Sequence, residues 1–189
     1  MEKRPGHGRR FQGDSKRLRA AERIAILQPE RVAALSMKGA IIKTVLDVGT
    51  GTGLFAEAFS KMGARVFGVD VSADSLAAAR KHVPAAVFAE GAAEKLPFDD
   101  ASFDLVFLGH VLHETDDPLR ALEEARRVAR VNVAVMEWPY RAEEFGPPLE
   151  HRLRPADIET MARKAGLPMT GKIELPHAEL YTFAAGREL

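Results

Sequence analysis

The stretch "VLDVGTGTG", Val45 to Gly53, follows a β-branched apolar run with three glycines in its last five residues. Glycine inside a regular element costs about 1 kcal/mol relative to alanine. Three so close together mark a turn that needs left-handed backbone or an unusually close approach by another group. Because a helical pattern starts at Leu54, the turn reads as the link between a strand and its helix.

From Ile41 that alternation continues to the end of the chain. "TVLDV" is followed by a helix over Leu54–Met62, with Leu54, Ala58 and Met62 on one face. "RVFGVDV" is a second strand, and Ser72 caps a helix over Ala73–His82. "AVFAEG" and "FDLVFLG" are the third and fourth strands. Pro118 opens a helix to Ala129 that carries Glu123 and Arg127 four residues apart. "NVAVMEW" is the fifth strand, and a helix over Pro155–Ala165 stops at Gly166. "TGKIEL" and "ELYTFAAG" leave no room for a helix between them and predict an antiparallel hairpin. The sum is an α/β fold: a Rossmann-like, doubly wound, seven-stranded and mostly parallel sheet, with an antiparallel C-terminal hairpin and helices on both faces.

Two further helices, Arg17–Leu27 and Pro29–Ser36, precede the alternation. We divide the chain into residues 1–40, a basic arm plus these helices, and residues 41–189, the ligand-binding domain. Lys3, Arg4, Arg9, Arg10, Lys16, Arg17 and Arg19 are opposed only by Glu2 and Asp14. Three readings of the arm stand open: a tail, a lid over a ligand, or a nucleic-acid contact. Over all 189 residues, 27 Lys and Arg balance 27 Asp and Glu, so no net field recruits nucleic acid. The absence of cysteine excludes disulfides, cysteine-held metals and a cysteine nucleophile. Neither a membrane span nor a signal-peptide core is visible, and the expected location is the cytoplasm.

The glycine turn lies at the carboxyl end of the first strand, where open α/β sheets bind ligands. Gly49 and Gly51 would let the backbone pass close under a ligand, with Thr50 between them. The helix starting near Gly53 adds free N–H groups and a positive dipole end. Asp47 is placed to reach a cationic group of the ligand. Asp70 ends the second strand 17 residues after Gly53, where a carboxylate can accept both hydroxyls of a ribose. Loop plus acid predicts a nucleoside cofactor of one of two kinds. Gly51, Gly53 and Ala56 formally satisfy a dinucleotide fingerprint. Asp47, Gly49, Gly51 and Gly53 fully match acid-x-Gly-x-Gly-x-Gly.

That second pattern resembles the first motif of class I S-adenosylmethionine-dependent methyltransferases. "EGAAEKLPFDDASFDLVFLGHVLHETDDP" and "ALEEARRVAR" resemble the next motifs of the ubiquinone/menaquinone-biosynthesis C-methyltransferase branch (methyltransferase type 11). The resemblance implies S-adenosyl-L-methionine as cofactor and S-adenosyl-L-homocysteine as product. It implies that Gly49 to Gly53 line the methionine and ribose part, that Asp70 holds the ribose diol, and that Val71 packs on the adenine. Ala92 and Ala93 fall around the adenine amino group, although Ala92 lacks the carboxylate usual there. Leu108 and Gly109 fall where a backbone carbonyl meets the cofactor's amino group. The implied activity is methyl transfer to a small-molecule acceptor. A methyltransferase acting on RNA or protein is the alternative, and a nicotinamide oxidoreductase a more remote one.

A general base is required only if the acceptor carries a proton of high pKa. "GHVLHE" supplies His110 and His113 as candidates. On a helix, His110 and Glu114 would meet as a base and its orienting carboxylate; His113 could equally pack beneath the cofactor. No metal-binding order of histidines and glutamates is present. "EWPYRAEEFGPPLEHRL", with Trp138, Tyr140 and Phe145, is either a substrate wall or a packed connector. The acceptor atom and the oligomeric state are beyond the sequence.

Overall fold

A computed structural model describes residues 19–186; the N-terminal arm, Met1 to Gly13, lies outside them. The elements are α1 (Ala21–Leu27), α2 (Pro29–Ser36), β1 (Thr44–Val48), α3 (Leu54–Lys61), β2 (Arg65–Asp70), α4 (Ala73–His82), β3 (Val87–Glu90), β4 (Phe103–Gly109), α5 (Pro118–Val128), β5 (Ala129–Glu137), α6 (Pro155–Lys164), β6 (Met169–Leu175) and β7 (Ala178–Ala184). They form a seven-stranded sheet in the order β3-β2-β1-β4-β5-β7-β6. The first five strands are parallel; β7 runs antiparallel to both β5 and β6, closing the expected hairpin at the sheet edge.

Alternation along the strands sorts side chains between two cores. Val45, Val66, Leu105 and Phe107 pack with α1 to α4 on one face. Leu46, Val48, Val69, Val106 and Leu108 pack with α5 and α6 on the other. Phe107 is sandwiched by Phe55 and Phe59, with ring centroids 4.9 and 5.3 Å away. Fully burying one such ring contributes about 1.5–3 kcal/mol.

Three local expectations are corrected. The inward face of α3 is Phe55, Ala56, Ala58 and Phe59; Leu54 is only partly covered and Met62 is 43% exposed. Helix α5 stops at Val128, and β5 starts at once, because Ala129 is already paired with Phe103. Helix α1 begins at Ala21, later than Arg17. No helix among the described residues is long and apolar enough to cross a membrane.

The strand order reverses between β1, which continues outward to β2, and β4, which continues outward to β5. The carboxyl ends of β1 and β4 therefore diverge, leaving a crevice above them. Everything in the candidate site is hung from that edge.

Candidate active site

The turn after β1 holds left-handed backbone at Gly49, Gly51 and Gly53, with φ of 65°, 53° and 79°. Packing within the chain accounts for two of these glycines. A Cβ on Gly49 would stand 2.3 Å from a methyl of Val111, and one on Gly53 would stand 3.3 Å from Ala79 of α4. A neighbouring loop thus gives Gly49 a packing reason to lack a side chain, beside the expected approach of a ligand.

Two carboxylates brace the turn. Asp47 faces the α3 side of β1, only 1% exposed, and does not line the crevice. Its Oδ2 accepts from the Thr50 hydroxyl at 2.7 Å and from the Ala56 N–H at 3.1 Å. Burial pushes its pKa up to about 7, against the lowering effect of those two donors and with a small push from Asp70. Asp70 does line the crevice. It accepts from the Gly51 N–H at 2.8 Å and from the Ser72 N–H at 2.9 Å, one on each oxygen. Each oxygen keeps a lone pair for a further donor.

Around this floor lies a cleft of about 890 Å³. Among the anticipated residues, Gly49, Thr50, Gly51, Asp70, Val71, Ala93, Gly109, His110 and His113 line it. Gly53 does not, nor does Leu108, which is fully buried in the sheet, nor Ala92, which is bridged to Lys95. Val71 is 47% exposed at the rim, an apolar platform. Arg23 and Leu27 of α1 close one side.

The histidines behave differently from one another and from the helical pairing expected. His110 has left-handed backbone, φ 58°, so no helix runs through it and it does not meet Glu114. Its ring stacks on Trp138 with centroids 4.2 Å apart. Both ring nitrogens are buried without a hydrogen-bond partner among the described residues. Burial, then the positive groups His113, Arg23 and Arg152, hold its pKa well below the ordinary value. It is a neutral imidazole. Burial also disfavours a charge on His113, but the Glu137 carboxylate beside it, aided by Glu114 and opposed by Arg152, raises its pKa. His113 Nδ1 lies 2.8 Å from Glu137 Oε2, and its backbone N–H donates to Glu137 Oε1 at 3.2 Å. Glu137 is the carboxylate that sequence reading missed.

The far wall comes from the segment after β5. Trp138, Gly146 and Pro147 line the cleft, whereas Tyr140 carries Arg154 over its ring and Phe145 packs against the core. Arg152 staples this segment: its guanidinium donates to the carbonyls of Pro139, Arg141 and Pro147 at 2.9–3.0 Å, and to that of Phe145. The wall is a tied loop, 5% exposed at its staple.

A family model described as a methyltransferase domain matches residues 46–136, the span from β1 to the end of β5. Residues 46–136 form a methyltransferase domain of that family.

A solved S-adenosylmethionine-dependent methyltransferase from Aquifex aeolicus superposes with a TM-score of 0.82 at 26% identity, over 92% of this chain and 100% of that one. A demethylmenaquinone methyltransferase from Chlorobaculum tepidum is 45% identical over 87 residues, 46% of this chain and 36% of the relative. An uncharacterized methyltransferase from Mycolicibacterium gilvum is 36% identical over 118 residues, 58% of this chain and 46% of the relative. The match thus spans less than half the length of these curated relatives.

The methyltransferase cofactor is S-adenosylmethionine, and the residues present suit it. A crevice-facing carboxylate with spare lone pairs, an exposed valine beside it and a turn with three glycines suit a ribose diol, an adenine face and a methionine chain in turn. The amino-edge position has no carboxylate at Ala92; Glu94 lines the cleft instead, with Oε1 already accepting from the Asp116 N–H at 3.0 Å.

Proposed function

We propose that this protein transfers the methyl group of S-adenosylmethionine to a small-molecule acceptor, with Arg23 and Leu27 of α1 closing a cleft built on residues 41–189. The observation that carries the reading is the opposition, across one cleft, of the braced glycine turn and Asp70 to the wall of His110, His113 and Trp138. Asp70 holds the ribose diol, Gly49 to Gly53 lie under the methionine part, and Val71, Ala93 and Gly109 complete the cofactor half. Asp47 and Leu108 act from beneath, by holding the turn and the strand end in place. The bound cofactor supplies an electrophilic methyl carbon, whose bond to sulfur breaks with its electron pair leaving on sulfur. The chain's own contribution is to exclude water and align the acceptor.

A small acceptor suits a cleft of about 890 Å³, which is within the range of small-ligand sites and has one partner to hold beside the cofactor. Relatives named for demethylmenaquinone support the same class. A cytoplasmic location goes with this reading. The test is thermal stabilisation: S-adenosylhomocysteine should raise the melting temperature, and NAD should not. Stabilisation by NAD alone would restore the oxidoreductase alternative.

A further inference from the structure

We infer that His113 takes the proton from the methyl acceptor, with Glu137 as its positioning residue, so that the acceptor's nucleophilic atom enters carrying an acidic proton, as in a thiol, phenol or enol. The inference rests on the methyltransferase reading above. Glu137 ends β5, 1% exposed, and grips His113 at two points, the ring Nδ1 and the backbone N–H. An ionised carboxylate only accepts, so Nδ1 bears the hydrogen and Nε2 keeps its lone pair. Nε2 lies toward Glu114, 3.7 Å away, and His113 lines the cleft. Nothing on the Nδ1 side can receive a proton from a ligand; Nε2 is the end that can.

The surrounding charges direct the proton to this one imidazole. Among the described residues, the ionisable groups around His113 are Glu137 from β5, Glu114 from its own turn, His110 beside it, Arg152 against Trp138, and Arg23 of α1 close to Glu114. His110, buried against Trp138 without a carboxylate, stays neutral, and both its ring nitrogens are buried. The proton leaves the acceptor atom for Nε2 while Nδ1–H stays on Glu137. The electron pair left on the acceptor is the one that bonds the methyl carbon.

The test uses 4-nitrophenol as probe on protein saturated with S-adenosylhomocysteine. The wild type should bind it in the coloured phenolate form at a pH where the free probe is still protonated. In that complex the His113 ring signals in NMR should be those of an imidazolium. Without probe, the His113 titration midpoint should lie above that of an ordinary histidine. In Glu137→Gln the midpoint should fall, and the phenolate fraction should drop at least tenfold. Phenolate binding that persists in His113→Asn, neutral binding in the wild type, or no binding at millimolar probe would each overturn the proposal. The wild-type result decides even if a variant fails to fold. Failure of S-adenosylhomocysteine itself to bind would sink the functional reading, whereas its binding beside a neutral probe sinks only the dyad.

Discussion

Asp47 shows how one buried side chain couples loop geometry to pH. Its pKa in the folded protein is about 7, against an ordinary value of 3.8. Between these values the folded state holds a proton that the unfolded state has released, so stability falls as pH rises through that window and the loss is complete above it. Asp47→Asn keeps an oxygen for the Thr50 hydroxyl and the Ala56 N–H and removes the ionisation. We expect the melting temperature of the variant to gain on the wild type as pH is raised from about 5 to about 8. A difference that does not change with pH would show that Asp47 does not titrate there. Gly49 gives a second prediction at this scale. Gly49→Ala costs about 1–2 kcal/mol for left-handed backbone, plus the collision with Val111. In denaturant unfolding, adding Val111→Ala should recover the collision and leave the backbone cost. Full recovery would place the whole effect in the contact.

At the scale of elements, Arg152 joins the segment after β5 into a wall by giving four carbonyls one guanidinium. Lysine cannot reproduce that fork. Arg152→Lys should cost at least about 1.5–3 kcal/mol, the worth of one charge-assisted hydrogen bond, and should open residues 139–147 to limited proteolysis. A variant as resistant as the wild type would mean that packing of Trp138, not the staple, holds the wall. Much of this level was readable from the chain. Apolar runs and capping residues such as Ser72 and Pro118 act within one element, so the strand and helix order followed from local pattern. Partners distant in sequence were not readable. Glu137 looked like an ordinary strand-end charge, because His113 stands 24 residues before it. His110 was set against Glu114 by helical spacing, which its left-handed backbone breaks. The glycine turn was located correctly, yet Gly49 has a further reason in Val111, a contact no spacing announces. Asp47 fitted a motif, and only its burial shows that it serves the loop from below.

At the scale of the whole molecule, the strand order, the braced turn and the tied wall all converge on one crevice, and the central claim is that S-adenosylmethionine occupies it with Asp70 on its ribose. That claim is met most directly by calorimetric titration of S-adenosylhomocysteine into the wild type and Asp70→Ala. Asp70 already secures the Gly51 and Ser72 N–H groups, so its loss removes charge-assisted hydrogen bonds worth about 1.5–3 kcal/mol each and loosens the turn beneath the ligand. At about 1.4 kcal/mol per decade, we expect saturable binding at one site by the wild type and an affinity roughly ten-fold to several hundred-fold lower in the variant. No binding by the wild type, or equal binding by a folded Asp70→Ala, would contradict the account.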